Sequence, residues 1–433
     1  MIREFWVENY LSIKDRQEIN FESSTKEDNL IAYEIKPGHW INKLGVICGS
    51  NASGKTNMLY AMSNVFKILY GTRRFTYENV RTAPPFAMNG KEPTKMFVSF
   101  YADGIRYDYT VVYTSHHIIS EDLFYYPHDS KALFYQRQYI ADDARVDVKL
   151  GQSLRIKAKD AETLLSNTLN NHSVLSTLQK ASFSKDMAPM RNLLEWIRGH
   201  VHDVNEGNKP MSFVDELKDT MQNKRKYAFF LQMLKKADFN LSGFRLVKRN
   251  TNLPASVRAH IKSDASIPDT IKSAMLKEQI DDIDFSNTYS KGQFDLPLDV
   301  QSNGTLKYLK DLNFLYELIS EDHIYFLDEL DEDLHYDLLV YYLNVFLFNS
   351  DASQLVMSTQ EISLLNEDLL NDNRDIVWFV EKDKESAASS YKRADKFGLH
   401  KNLSLYRSYM VGKLGAKPEF GSPYVELNDY EHE

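Results

Sequence analysis

One cysteine, Cys48, in 433 residues leaves no possible intramolecular disulfide and no cysteine-ligated zinc centre. Glycine (17) and proline (12) are scarce, which excludes collagen-like and low-complexity organisation. No run of about 18 apolar residues occurs, so no membrane-spanning helix is expected. The opening Met1-Ile2-Arg3-Glu4-Phe5-Trp6 carries charges and no apolar h-region; it does not read as a signal peptide, and a cytoplasmic protein without membrane association is expected. Positive charge is also in short supply. The formal charge of −9 argues against a chain that coats nucleic acid, although it leaves room for a local basic face.

What is present is core material. Hydrophobic residues make up 43%, charged residues 26%, and the 26 Tyr and 24 Phe suffice for sizeable cores, so disorder on a large scale is excluded. At roughly 150 residues per domain, the length suggests two or three domains. Ile2, Phe5, Val7, Ile13, Ile19 and Phe21 alternate with polar residues and read as strands. Residues 95–140 are strand-like and aromatic, with Asp103-Gly104 as a hairpin turn. From 155 to 240, Leu164, Leu165, Leu169, Leu193, Leu194, Ile197, Phe229, Phe230, Met233 and Leu234 recur at helical spacing, while 249–290 reads as a polar connector with one short helix. Strand–helix alternation then returns from 294 onward.

The apolar run Leu44-Gly45-Val46-Ile47-Cys48 leads straight into Gly49-Ser50-Asn51-Ala52-Ser53-Gly54-Lys55-Thr56, and a helical pattern starts at Asn57. Gly-x-x-x-x-Gly-Lys-Thr is the Walker A phosphate loop. Its glycines let successive backbone N–H groups turn toward phosphate oxygens, and the following helix adds its positive N-terminus. Lys55 is then the residue that reaches the β- and γ-phosphates, and the Thr56 hydroxyl a ligand for Mg²⁺. Downstream, Ile324-Tyr325-Phe326-Leu327 is an apolar run ending in Asp328-Glu329. That is the Walker B arrangement, with Asp328 for the metal and Glu329 to activate the attacking water. Asp331, in the acidic run that follows, is grouped with the nucleotide-binding residues. Ser302-Asn303-Gly304-Thr305 opens a helix shortly before Walker B; as a bare string it is an N-cap with a turn. Gln354-Leu355-Val356-Met357 leads to Gln360 at a strand end.

With these motifs in place, the chain resembles the bacterial SMC/ABC-type AAA family ATPases, the group that contains OLD-like, RloA-like and AbiL-like proteins and the ATPase subunit of the PARIS phage-defence system. The resemblance rests on Phe5-x-Val7-Glu8-Asn9-x-x-Ser12-Ile13-Lys14-Asp15, on the loop from Gly49 to Asn57, on Ser302-Asn303-Gly304-Thr305, on Leu327-Asp328-Glu329-Leu330-Asp331-x-x-Leu334-His335, on Trp378-Phe379-Val380-Glu381-Lys382-Asp383, and on the closing Gly412-Lys413-Leu414-Gly415-Ala416-Lys417-Pro418. It covers both ends of the chain well and about 150–290 poorly. It implies an α/β P-loop NTPase fold, an ABC-type ATPase head split by a helical insertion. Residues 1–150 and 286–433 would form the head, with 151–285 inserted as helices and connector.

The resemblance further implies that Ser302 and Gly304 touch the γ-phosphate of ATP held by a second protomer, so the working form is a homo-oligomer. It places Gln360 where such ATPases carry a switch histidine. A glutamine there cannot carry charge and implies slow hydrolysis. A Q-loop glutamine is not evident; the stretch Pro84-Pro85-Phe86 is the place to look. The implied role is a sensor or scaffold whose nucleotide state controls a partner effector, a nuclease or toxin, in anti-phage defence. A DNA-repair or DNA-structure ATPase is the alternative, disfavoured by the lack of sustained heptads; a nucleotide-binding scaffold that barely hydrolyses ATP is a third.

Other features carry less. His116, His117 and His128 lack ligand spacing. Lys224-Arg225-Lys226 and Lys235-Lys236 read as a solvated face, compatible with nucleic acid but not pointing to it. Glu381 and Asp383 resemble the acidic start of a Toprim nuclease, with too little chain after them to complete one. The tyrosine-rich strands read as core and sheet surface. Phe229, Phe230, Met233 and Leu234 offer an apolar face on which the effector could dock.

Overall fold

The computed structural model describes residues 1–25, 29–80, 83–204, 213–237, 239–250, 253–276, 279–400, 402–418 and 421–424. The chain opens with strands β1 (Ile2–Glu8), β2 (Gln17–Asn20), β3 (Ala32–Lys36), β4 (His39–Asn42) and β5 (Leu44–Gly49), followed by helix α1 (Lys55–Tyr70). Strands β6 (Thr94–Ala102), β7 (Ile105–Tyr113), β8 (Ile118–Tyr126), β9 (Ala132–Ile140) and β10 (Arg145–Leu150) come next, then helices α2 (Ala158–Asn167), α3 (Val174–Thr177) and α4 (Ala188–His200). After α5 (Phe213–Gln222) and α6 (Lys224–Lys236) run β11 (Leu241–Asn250), α7 (Ala255–Ser263), α8 (Asp269–Met275), β12 (Gln279–Tyr289), β13 (Gly292–Pro297) and α9 (Asn303–Ser320). The chain then passes through β14 (Ile324–Leu327), α10 (Tyr336–Asn349), β15 (Gln354–Thr359), α11 (Asp368–Asn371), β16 (Val377–Lys382), β17 (Ser389–Arg393) and α12 (Leu405–Met410). Among the described residues no helix is long and apolar enough to cross a membrane.

These elements divide into two compact units: Met1–Glu206 with Glu317–Glu332 and Tyr342–Glu433, and Gly207–Tyr316 with Asp333–Tyr341. The first unit holds a five-stranded sheet in the order β14-β15-β5-β16-β17, in which all pairings are parallel except β16–β17. Every residue of β5, β14 and β15 is buried, which is why their sequences are near-continuous apolar runs: a parallel sheet is covered on both faces. A seven-stranded antiparallel sheet, β10-β9-β8-β7-β6-β1-β2, lies in the same unit. Its strand β7 alternates between buried and half-buried residues, as one solvated face requires. Asp103 and Gly104 form the β6–β7 turn, both with positive φ.

Helix α1 is the axis of this unit. It packs against β5, β14 and β15 of the parallel sheet and against β6, α3 and α4. Met58, Leu59, Ala61, Met62, Val65, Phe66, Ile68 and Leu69 are all buried, and only a narrow half-buried stripe of Thr56, Asn57, Tyr60, Lys67 and Tyr70 remains, so the helix is largely interior. Leu164, Val174, Leu175, Met190, Leu193, Trp196 and Ile197 join the same core. The helices α2–α4 therefore belong to the first unit; the boundary expected at 151 falls inside it, and the second unit starts at Gly207.

The second unit departs from the sequence reading in two ways. Residues 249–290 are not a connector with one short helix. They include the end of β11, two helices and β12, and the three-stranded antiparallel sheet β11-β12-β13 organises them. Its polar face obscures the period-two pattern, because Arg245 and Arg249 stand opposite Asp282, Asp284 and Asp295 in ion pairs. Phe230, Met233 and Leu234 are buried. Phe230 meets Phe244, Phe244 meets Phe285, and Phe229 leans on Tyr316. This face is the unit's own core, so it is not an open docking surface.

Candidate functional site

The C-terminal ends of the parallel strands converge on one edge of the sheet. β5 ends at Gly49, β14 ends just before Asp328, and β15 ends just before Gln360. In open α/β sheets this edge is where ligands bind. Between β5 and α1 the loop turns sharply, with Ala52 at φ 61° and Gly54 at φ 114°. A side chain at Gly54 would run into Ser12 and Ser389, and one at Gly49 would press on Ser53 and the Val380 carbonyl at 2.8 Å each. Glycine is thus required at both positions by space, and at Gly54 by conformation as well.

Side chains remote in sequence hold the loop. Ser389 Oγ lies 2.7 Å from Ser12 Oγ and donates to the Ser53 carbonyl at 2.5 Å. Tyr391 donates its hydroxyl to the Gly54 carbonyl at 2.6 Å. Asn57 Nδ2 donates to Ser12 Oγ at 2.7 Å. Ser12 belongs to the opening motif, but nothing in the sequence marks the roles of Ser389 and Tyr391. They sit in an edge strand without a motif of its own.

Lys55 is buried, and its ammonium donates to the carbonyls of Gly49 at 3.0 Å and Ser50 at 3.2 Å. Burial lowers its pKa from the usual lysine value, against the opposing pull of Glu329, Asp328 and Asp331. Thr56 donates its hydroxyl to Asp328 Oδ1 at 3.1 Å, across 272 positions of sequence. The same carboxylate oxygen accepts from Ser358 Oγ at 2.5 Å. Ser358 Oγ in turn accepts from the Glu329 backbone N–H at 2.9 Å. Glu329 itself takes a positive φ of 49°, a conformation that favours glycine, and this turns the chain out of β14. Its Oε1 accepts from Gln360 Nε2 at 2.5 Å, and Asp331 Oδ2 accepts from the Gln360 backbone N–H at 3.2 Å. Sequence reasoning does not single out Ser358; the one signal for it is its place at the end of the buried β15, two residues before Gln360.

Asn51, Ala52, Gly54, Lys55, Thr56, Asn57, Glu329 and Gln360 line one cleft of about 270 Å³. Within it stand a cation, a hydroxyl that meets the Asp328 carboxylate, the Glu329 carboxylate and the N-terminus of a 16-residue helix. This donor set suits a phosphate chain and a hard divalent cation. Asp331 Oδ1 is buried with no hydrogen-bond partner among the described residues, so the carboxylate retains acceptor capacity. Cys48, next to Gly49, is buried and its thiol is pushed up to about 12, which leaves it inert.

The remaining candidates fall elsewhere. Ser302 caps α9: its Oγ accepts from the Thr305 N–H at 3.2 Å and lies 2.8 Å from Thr305 Oγ1. A side chain at Gly304 would meet the Asp333 carbonyl at 2.8 Å. Both residues belong to the second unit. Pro84-Pro85-Phe86 contains no glutamine and is clipped to the opening motif, with Phe86 N–H donating to Asn9 Oδ1 at 3.1 Å. Glu381 serves the closing motif: it accepts from the Ala416 N–H at 2.9 Å, while Gly415 adopts a φ of 61° against the carboxylate. Asp383 closes the β16–β17 turn by accepting from Ser386. His117 stacks on Tyr139 and pairs with Asn170. No group of three or more metal-ligating side chains occurs among the described residues.

No curated protein matches the chain. Solved structures similar to it include the SMC head domain from Thermotoga maritima, at 13% identity over 90% of this chain and 98% of that one, TM-score 0.38. An Smc head bound to the C-terminal winged-helix domain of ScpA matches at 12% identity, over 94% and 99%, TM-score 0.42. An Smc head with an extended coiled coil from Pyrococcus furiosus, bound to the C-terminal domain of ScpA, matches at 13%, over 95% and 98%, TM-score 0.37. The profile of the family described as "AAA domain, putative AbiEii toxin, Type IV TA system" matches residues 45–366, from the start of the phosphate-loop strand to beyond Gln360. That span takes in most of the chain and all but the outer supports of the cleft, and the chain belongs to this family of AAA-domain proteins.

Proposed function

We propose that the chain binds ATP with Mg²⁺ in the cleft between the 49–57 loop and the strand ends of β14 and β15, and that it hydrolyses ATP to ADP and phosphate. One observation carries the reading: the Thr56 hydroxyl meets the Asp328 carboxylate, with Glu329 and Gln360 lining the same cleft as Lys55. The backbone N–H groups after Gly49 and the start of α1 would take the phosphate oxygens, and Lys55 would supply positive charge beside them. Thr56 and Asp328 would hold Mg²⁺, which supplies neutralisation of phosphate charge when bound. The Glu329 carboxylate would take a proton from water as its oxygen attacks the γ-phosphorus. Gln360 steadies that carboxylate by its amide hydrogen bond. Being uncharged, it would stabilise the developing negative charge weakly and keep turnover slow.

Ser302 and Gly304 are proposed to complete the site of a second copy, so that ATP is sandwiched in a homo-oligomer. The family's description names a toxin of a type IV toxin–antitoxin system, which supports a defence role. In that role the nucleotide state would govern an effector, a nuclease or toxin. The decisive experiment is titration of ATP with Mg²⁺ into wild type and Lys55→Ala by calorimetry. Loss of binding in the variant is expected, and near-wild-type affinity would overturn the assignment.

A further inference from the structure

The loop that follows α1 binds nothing in the reading above, yet it is fastened more firmly than a linker needs to be. Arg73 Nη2 donates to the Val80 carbonyl at 2.7 Å and Arg73 Nε to the Asn79 carbonyl at 3.1 Å. The N–H groups of Arg74 and Phe75 both donate to Glu78 Oε1 at 2.9 Å. From outside the loop, Asn171 Nδ2 donates to the carbonyls of Phe75 at 2.8 Å and Glu78 at 2.9 Å, and His172 Nε2 meets the Arg73 backbone at 2.7 Å. The Val80 N–H closes the loop on the Ser115 carbonyl at 2.8 Å.

This scaffold presents two rings to solvent. Phe75 is 52% exposed and Tyr77 74% exposed. They stack on each other with centroids 5.1 Å apart and planes within 5° of parallel. A single exposed aromatic residue is ordinary, but a pre-stacked pair on a rigid loop leaves an outer ring face ready for another flat group. The charge around it is positive. Arg74 is exposed, and its guanidinium has no hydrogen-bond or ion-pair partner among the described residues. Arg73 is here as well, and Lys180 lies within electrostatic range of Glu78 and His172. Arg73 and Lys180 are each within electrostatic range of the single carboxylate Glu78, and Arg74 adds a third cation to the loop, in a chain of net charge −9.

We propose that residues 71–80 bind single-stranded nucleic acid, with bases stacking on the Phe75–Tyr77 pair and phosphates drawn to Arg74. Exposed stacked rings beside an exposed cation match a strand that offers both π-faces and negative charge. A docked protein would need on the order of 800 Å² of complementary surface per partner, whereas the apolar area here is two rings flanked by the exposed polar residues Thr72, Thr76 and Asn79.

The test is fluorescence anisotropy of the full chain with labelled oligo(dT), oligo(U) and a duplex of equal phosphate count. Single strands are expected to bind more tightly than the duplex, and the preferred one of the two identifies DNA or RNA as the source. The double variant Phe75→Ala/Tyr77→Ala is expected to lose about 10²-fold in affinity, about tenfold per ring. Arg74→Glu lowers the slope of log affinity against log salt by about 0.7 for each phosphate no longer neutralised. Phe75→Trp, which keeps a ring, retains binding, and its emission falls as oligonucleotide is added. Absence of wild-type binding, equal affinity for the duplex, or unchanged affinity in the folded double variant would each overturn the proposal. So would a Phe75→Trp emission unaffected by bound oligonucleotide.

Discussion

The cleft at the strand ends of the first unit and the core of the second unit are built on opposite principles. Around the cleft, polar atoms carry the structure: Ser389 and Tyr391 hold backbone carbonyls of the phosphate loop, Ser12 holds the Asn57 side-chain amide, and Ser358 holds the Asp328 carboxylate at the β14 end. In the second unit, Leu217, Phe230, Met233, Leu234, Phe244, Ile283, Phe285 and Leu312 are buried on apolar contact alone, while charges pair with one another, as in the sheet ladder of Arg249 with Asp282 and Asp284 and in the Lys307–Asp311 pair. The first arrangement fixes residue identity, because a hydroxyl or carboxylate cannot be exchanged without leaving a buried partner unsatisfied. The second fixes only size and apolarity, since cores tolerate swaps that conserve volume. Substitutions are expected to read out as lost chemistry in one region and lost stability in the other.

The largest expected effect lies in the cleft. Glu329→Gln removes the proposed proton acceptor while sparing the loop and Lys55. Turnover is expected to fall about 10³-fold, about 4 kcal/mol of transition-state stabilisation, with ATP still bound. Phosphate release and equilibrium binding measured side by side check this; unchanged turnover would show that Glu329 is not the base.

Next in size is a change in the second unit. Phe230 is fully buried, with its ring 6.4 Å from that of Phe244. Truncation to alanine removes a core ring, and a loss of about 3–4 kcal/mol is expected in the stability of the second unit. Hydrogen exchange read segment by segment will locate the loss in α6 and β11–β13, while calorimetry finds nucleotide affinity unchanged. A parallel loss of ATP binding would break the contrast between the regions.

The same contrast explains what is legible in the sequence. The 49–57 loop and Asp328-Glu329 are legible because a phosphate-loop motif and an acidic strand end prescribe residue type and spacing, whereas Gln360 is placed by the family resemblance, its own string being an ordinary strand end. The parallel strands are legible because burial on both faces makes them continuous apolar runs. The β11–β13 sheet is not, since its outward face is charged and no chemistry fixes its spacing. Ser389 and Tyr391 escape for another reason. They act on the Ser53 and Gly54 carbonyls from an edge strand 336 and 337 positions away, and a hydroxyl donating to a backbone oxygen leaves no pattern in sequence.

Acid is expected to act on the two units in opposite directions. His172 is fully buried against the 71–80 loop; burial, then the charges of Lys180, Arg73 and Arg137, push its imidazole down from 6.5 to about 4. The folded loop therefore favours the neutral ring. That stabilisation is complete above about pH 6.5 and is lost as pH falls through about 4, at a cost of up to about 3 kcal/mol. In the second unit, burial pushes Asp311 up from 3.8 to about 6 despite its ion pair with Lys307. Its folded form favours the protonated acid, so lowering the pH from 7 to 4.5 relieves about 2 kcal/mol of a penalty that is about 3 kcal/mol at pH 7. Exchange rates compared at the two pH values are expected to rise in 71–80 and fall in α9. His172→Gln and Asp311→Asn each abolish one response; the same sign in both units would refute the assignment.

The smallest effect is expected at Gln360, where the two principles meet. Its side chain is exposed, so it contributes little to stability, yet its amide donates to the carboxylate proposed as the base. A hydrogen bond to a charged group is worth roughly 1.5–3 kcal/mol when buried, and solvent around Gln360 reduces this to about 1 kcal/mol. Gln360→Ala is therefore expected to lower kcat three- to tenfold and to leave ATP affinity and thermal stability at wild-type values, because Glu329 remains chemically intact but samples more orientations. If affinity falls instead, Gln360 contacts the nucleotide and does not position the base. Gln360→His sharpens the same measurement. Histidine can donate to Glu329 and also carry positive charge toward the departing phosphate, so turnover is expected to rise above wild type. An unchanged or lower rate, in protein that binds ATP normally, would show that the uncharged amide is not what makes hydrolysis slow.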